Sequence, residues 1–236
     1  MTRASENPSA SAEPLLMNVL DTLGTEIISG ILEEGRTFTL HDLSTRFGIS
    51  RTVAREVMRA LEQLGLVLSS RRVGIKVLPS SEWDVFDSAV IGWRWKADSE
   101  RQLKELSELR FSVEPVAAVI AARCASEAEG AELVAMAEEM SELVKAGKRE
   151  DFLATDLKFH TLILKASRND MFHALAPSIL HALEDSAHHD HQGTGLENDA
   201  VEAHLALAEA IVARDPDGAE RASRAVMSDF TPCCCA

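Results

Sequence analysis

A glycine set between two short apolar-patterned stretches constrains this chain more than any other feature. Leu40, Leu43 and Phe47 recur at helical spacing until Gly48. Ser50 then stands where a helix cap belongs, and Val53, Val57, Leu61 and Leu64 open a second helical pattern. That second helix also carries Arg51, Arg55 and Arg59 at steps of four, so the arginines form one ridge while the apolar ridge faces elsewhere. A short helix, a glycine turn and a cationic helix is how a helix-turn-helix reads DNA. A solvated arginine face on an ordinary amphipathic helix has the same spacing, so the flanks have to decide.

On the N-terminal flank, Leu16, Val19, Leu20, Leu23, Ile27, Ile28 and Ile31 predict an amphipathic helix over Leu15 to Glu33, stopped by Gly35. On the other flank, Gly65 breaks the arginine helix. Two short apolar stretches, Leu66 to Ser70 and Gly74 to Leu78, then read as strands around a turn holding Arg71 and Arg72. Three helices and a basic hairpin make a winged helix over residues 15–78, its wing placed to meet phosphate or the minor groove. Charge divides the chain the same way. Between Arg36 and Lys76 eight cations face three acids, a balance of +5; the whole chain is -14, so the remainder carries -19. A basic module on an acidic body suits DNA binding confined to one face. The expected contacts are Arg46, Ser50, Arg51, Thr52, Arg55, Arg71, Arg72 and Gly74.

Residues 79–81 (Pro79-Ser80-Ser81) read as a linker, and beyond them no strand is evident. Helices are expected over Trp83–Trp95 (with Trp83, Phe86, Val90 and Trp93 inward), Glu100–Ser126 with Pro115 inside, Ala131–Ala146, Glu150–Ser167 and Met171–His188. A glycine turn near Gly193 to Gly195 precedes two last helices, to Arg214 and to about Phe230, divided by Asp215-Pro216. The fold class is therefore mainly α: a winged helix-turn-helix, then an all-helical bundle over residues 82–230 able to enclose a small ligand. Residues 1–14 and 231–236 read as tails. Cys124 is expected in the core, and the consecutive Cys233, Cys234 and Cys235 lack the spacing of a zinc site. No apolar run approaches the roughly 18 residues needed to cross a bilayer, which points to a soluble cytoplasmic protein with no membrane partner.

These residues together resemble the GntR family of bacterial transcriptional regulators, in the FadR branch with its helical C-terminal ligand-binding (FCD) domain. The likeness rests on Phe47-Gly48-Ile49-Ser50-Arg51-Thr52 with Arg55-Glu56, and on Leu64-Gly65-Leu66-Val67 and the Gly74 wing. It continues through Leu109-Arg110, Glu114-Pro115, Asp156, Phe159-His160, Ala166 to Asn169, His204, Ala210-Ile211 and Asp215. Trp83, Asp87, Val90 and Trp93 are loosely similar to the galactonate-responsive type. The chain departs from the family at Arg36 to Leu40, where a Leu-Pro-Ser-Glu-like stretch is usual, and at Ala54 to Val57.

Asp156 and His160 stand four apart on one helical face, a spacing at which both reach one cation. The resemblance adds His204 as a third ligand and a histidine 22 residues later as a fourth, but here that position is Val226. Three ligands leave positions for water or an anionic effector on a divalent ion of zinc, nickel or manganese type. Equally, the three residues are compatible with a hydrogen-bonded core without metal. The resemblance also implies Arg110 and Asn169 as effector contacts, with Arg110 alternatively paired to Glu108 or Glu114 at the surface. The expected function is a dimeric operator-binding repressor or activator controlled by a small organic acid of sugar-acid type. Its rivals are a metal-sensing regulator and a metal-dependent hydrolase. Neither a nucleophile–base pair nor a glycine-rich phosphate loop favours an enzyme.

Overall fold

The computed structural model describes residues 9–71, 73–179 and 197–227, including side chains except at 9–13 and 197–200. Arg72, His181, His188, His189, His191, the turn near Gly193, the end of the last helix at Phe230 and Cys233, Cys234 and Cys235 lie outside the described residues. The chain divides into two compact units, one through Gln102 and one from Leu103.

In the first unit, α1 spans Ser9–Ile28, α2 Leu40–Phe47 and α3 Arg51–Gln63. The expected tail to Pro14 is thus partly helical, because Ala10, Ala12 and Glu13 are strong helix formers that extend the α1 nucleus. The helix also ends earlier than expected. Gly30 turns left-handed at φ 77°, so Ile31 leaves the apolar stripe and is 68% exposed. The α2–α3 turn forms as its residues dictate. Thr39 and Asp42 cap α2 reciprocally, Gly48 takes φ 63° at its C-terminus, and the Ser50 hydroxyl accepts from Val53 N at 3.2 Å. Leu23, Val57, Leu61 and Leu66 are fully buried in the one core that α1 and α3 share, each leucine worth roughly 1.5–3 kcal/mol of apolar transfer.

A three-stranded antiparallel sheet in the order β1-β3-β2 completes the unit: β1 Thr37–Phe38, β2 Val67–Ser70 and β3 Gly74–Val77. Register runs from Val67↔Val77 to Ser70↔Gly74, and β1 adds Thr37↔Lys76 and Phe38↔Ile75. Two residues are too few to give β1 a periodicity, so the sequence does not announce it.

The stretch expected as a linker is fastened to the winged helix. Leu78 N donates to Leu66 O and Asp84 N to Leu64 O, both at 2.9 Å, and Trp83 Nε1 donates to Leu78 O at 3.2 Å. Gly65 permits this approach: a Cβ there would lie 2.0 Å from Glu82 O. The next helix, α4, spans Ser88–Ala97 rather than starting at Trp83, because the Asp87 carboxylate caps it at Ala89 N. Phe86 lies outside it and is half exposed, whereas Val90 and Trp93 are buried in the same core as α1 and α3. The first unit therefore runs well past residue 78.

From Leu103 the second unit is built of helices. α5 spans Ser99–Cys124, α6 Glu127–Lys145, α7 Arg149–Ala166 and α8 Asp170–Ala174; residues 176–179 are again helical. α9 spans Glu197–Val212 and α10 Pro216–Val226, the latter capped by Asp215. Pro115 is accommodated without ending α5. α6 packs on α7 and α9, and α9 on α10, around Leu133, Met140, Phe159, Leu164, Leu207 and Ile211, all essentially fully buried. Cys124, expected in the core, is exposed at the end of α5. Among the described residues no helix is long and apolar enough to cross a membrane.

Candidate DNA interface and candidate metal centre

On α3 the apolar positions Ala54, Val57, Met58 and Leu61 are buried, which leaves Arg51, Thr52, Arg55, Glu56 and Arg59 exposed on the opposite face. Arg59 is held by Glu56 (2.8 Å), so Arg51 and Arg55 are the less committed cations of the ridge. Ser50 spends its hydroxyl oxygen on capping α3. Arg71 and Val73 are exposed at the wing tip. Gly74 serves the sheet: a Cβ at that position would come within 2.7 Å of Phe38 O. Arg46 is engaged elsewhere. Both of its terminal nitrogens bind the Glu26 carboxylate on α1, one at 2.8 Å, and its guanidinium lies over the Phe47 ring.

In the second unit α7 and α9 bring Asp156, His160 and His204 together, each at most 6% exposed. Asp156 Oδ1 lies 2.9 Å from His204 Nε2 and 3.4 Å from His160 Nε2, and the two Nε2 atoms are 3.4 Å apart. Phe159, fully buried, meets both imidazoles edge-on with ring centroids 5.8 and 5.1 Å away. Two imidazoles and a carboxylate form a mixed N/O donor set of the kind that suits divalent transition metals. Donors bound at about 2.0–2.2 Å from one ion stand roughly 3–3.5 Å apart, which matches the three spacings here. The donor set thus fits a cation. Val226 is buried in the apolar core and contributes no donor.

Behind His160 stands a residue that sequence reasoning did not assign to the site. Glu114 on α5 accepts from His160 Nδ1 at 2.6 Å and from Arg110 Nε at 2.6 Å, and all three are buried. Arg110 therefore does pair with Glu114, but in the interior. The four-residue spacing was the visible signal; its burial was not. Burial works to raise Glu114, but Arg110 and His160 outweigh it and hold its carboxyl at about 2. Burial likewise opposes the charge on Asp156, yet His160 and His204 keep it well below the carboxylate range. Burial would lower His160; Glu114 and Asp156 instead push it up to about 9. Asn169, the other expected effector contact, caps α8, its side-chain oxygen accepting from Met171 N at 3.0 Å and Phe172 N at 3.4 Å.

A winged helix with an exposed arginine ridge, joined to a helical unit with a buried polar centre, defines a DNA-binding regulator with a separate sensing domain. Residues 16–77 match bacterial regulatory proteins of the gntR family and residues 105–229 match the FCD domain. The chain belongs to the GntR family and carries an FCD domain. It is 29% identical over 220 residues to the galactonate operon transcriptional repressor of Escherichia coli K12, covering 90% of this chain and 93% of that protein. It is 28% identical over 223 residues to the uncharacterized HTH-type transcriptional regulator YieP of the same organism (92% and 94%). Among solved structures, Lar of Listeria monocytogenes shares the fold with TM-score 0.63 at 16% identity, covering 97% of each chain. These domains and relatives are those of transcriptional regulators, not enzymes, which removes the hydrolase alternative.

Proposed function

We propose that the chain is a cytoplasmic repressor that binds operator DNA as a homodimer and is released by a small organic acid of sugar-acid type. Arg51 and Arg55 read bases from α3, Thr52 bonds phosphate near the helix start, and Arg71 and Arg72 meet the backbone from the wing. A half-site read by one winged helix is short, and two-fold symmetry supplies the second. The effector binds the helical domain through a divalent cation held by Asp156, His160 and His204, its carboxylate taking one of the coordination positions that three protein ligands leave open. Arg110, engaged by Glu114, acts behind the ligands rather than on the effector. The galactonate repressor's name supports the sugar-acid class.

The observation that carries this reading is the convergence of three buried donor atoms in a chain whose α3 ridge is exposed. The test is an operator shift assay on DNA upstream of the chain's own gene, with the protein stripped by chelator or loaded with zinc. Both forms should retard the DNA, and aldonates should release only the loaded form. Release by aldonate from the stripped protein refutes the cation's part. Release by zinc alone makes the ion itself the signal and sinks the sugar-acid reading.

A further inference from the structure

We propose that Glu114, clamped by Arg110, is the positioning residue that makes Asp156, His160 and His204 a cation site. The proposal rests on the cation reading above and adds a residue to it from a third helix. An ionised carboxylate can only accept, so the 2.6 Å contact from Glu114 to His160 Nδ1 places a hydrogen on Nδ1. The neutral ring then has its lone pair on Nε2, the atom that faces Asp156 Oδ1 and His204 Nε2 at 3.4 Å. Without Glu114 either tautomer is open to His160, and in one of them Nε2 carries a hydrogen into the space where the cation belongs.

Charge follows the same division of labour. Arg110 and Glu114, with side chains 5% and 3% exposed, form an internally neutral pair. Asp156 is left as the carboxylate on which both imidazole Nε2 atoms converge, the group whose charge a divalent ion would take over when it displaces the hydrogen from His160 Nε2. A carboxylate behind a ligating histidine fixes ring orientation and tautomer, and loss of such a partner typically weakens metal affinity 10- to 100-fold.

The experiment uses the full chain, chelator-stripped and titrated calorimetrically with zinc chloride. The double variant Glu114→Gln with Arg110→Met removes both charges of the pair, so neither is left buried alone. It should keep the far-ultraviolet dichroism of the native protein and bind zinc roughly 10- to 100-fold more weakly. Native affinity in a folded double variant overturns the proposal while leaving the cation reading intact; no zinc binding by the native chain overturns both. Should the variant not fold, the native protein still decides. Long-range proton–nitrogen spectra of the zinc-loaded, 15N-histidine-labelled chain should show His160 protonated at Nδ1 and coordinated through Nε2. The opposite assignment refutes the role given to Glu114.

Discussion

Replacing Gly24 by alanine should destabilise the first unit, although helix propensity argues the reverse. In an exposed helix interior the change would gain about 1 kcal/mol. Gly24, however, lies under the indole of Trp93, and an added Cβ would stand 2.4–2.5 Å from three of its ring carbons. Carbon–carbon contact needs about 3.5 Å, so the ring must retreat by about 1 Å. Trp93 cannot retreat freely, because it is buried and its Nε1 donates to Asp21 Oδ1 at 2.7 Å. Overpacking of this kind costs about 1–3 kcal/mol, and a hydrogen bond to a charged group about 1.5–3. Set against the propensity gain, the net loss is about 1.5–5 kcal/mol. The chain's tryptophans, Trp83, Trp93 and Trp95, all belong to the first unit, so tryptophan fluorescence in urea reports that unit alone. With a slope of about 2 kcal/mol per molar urea, the midpoint should fall by about 0.8–2.5 M. An unchanged or higher midpoint would refute the reasoning and show that α4 does not hold the place described.

Arg55→Ala should weaken operator binding by about 1–3 kcal/mol in shift assays, the worth of a bidentate base contact. Arg46→Ala should cost far less, since Arg46 is occupied by Glu26; equal losses would return Arg46 to the DNA surface. The second unit should lose stability in acid through Glu129, held at about 2 first by the hydrogen bonds from Arg168 and then by the backbone at Ser126. A carboxyl lowered on folding stabilises above its ordinary value of 4.5, and that contribution drains away as pH falls from 4.5 through 2; Arg168→Ala should flatten this slope in pH-dependent thermal melts. Chelation of a zinc-loaded sample should lower the second unit's melting transition, by about 2.7 kcal/mol for free zinc at 100 times its Kd, as read by calorimetry.

Helices with a strong apolar period, a cap and a stop were legible in the sequence within a few residues; α2 and α3 are the clearest cases. The exposed ridge of Arg51, Arg55 and Arg59 was legible for the same reason, since burial of Val57 and Leu61 turns it outward. What failed to show depended on partners distant in sequence. Arg46 reads like any other cation of the basic stretch until Glu26 is folded against it. Asp156 and His160 announce themselves by spacing, but Glu114 meets a histidine 46 positions later, and only their contact in the folded chain reveals it. The capping duty of Asn169 was not legible, because an asparagine that caps a helix and one that binds a ligand look alike in a sequence.

The stretch between the two family matches, residues 78–104, falls in neither, yet most of it folds with the DNA-reading unit. Trp83 is tied to Leu78, Trp93 to Asp21, and Lys96 grips the same aspartate at 2.8 and 2.9 Å. The segment that heredity marks out as a module is therefore shorter than the one that physics will fold. A chimaera spliced at residue 78, giving this reader a foreign sensor, would strip the indole from Gly24 and leave an apolar groove on α1 open to water. The same splice at residue 102 would carry the groove and its cover together.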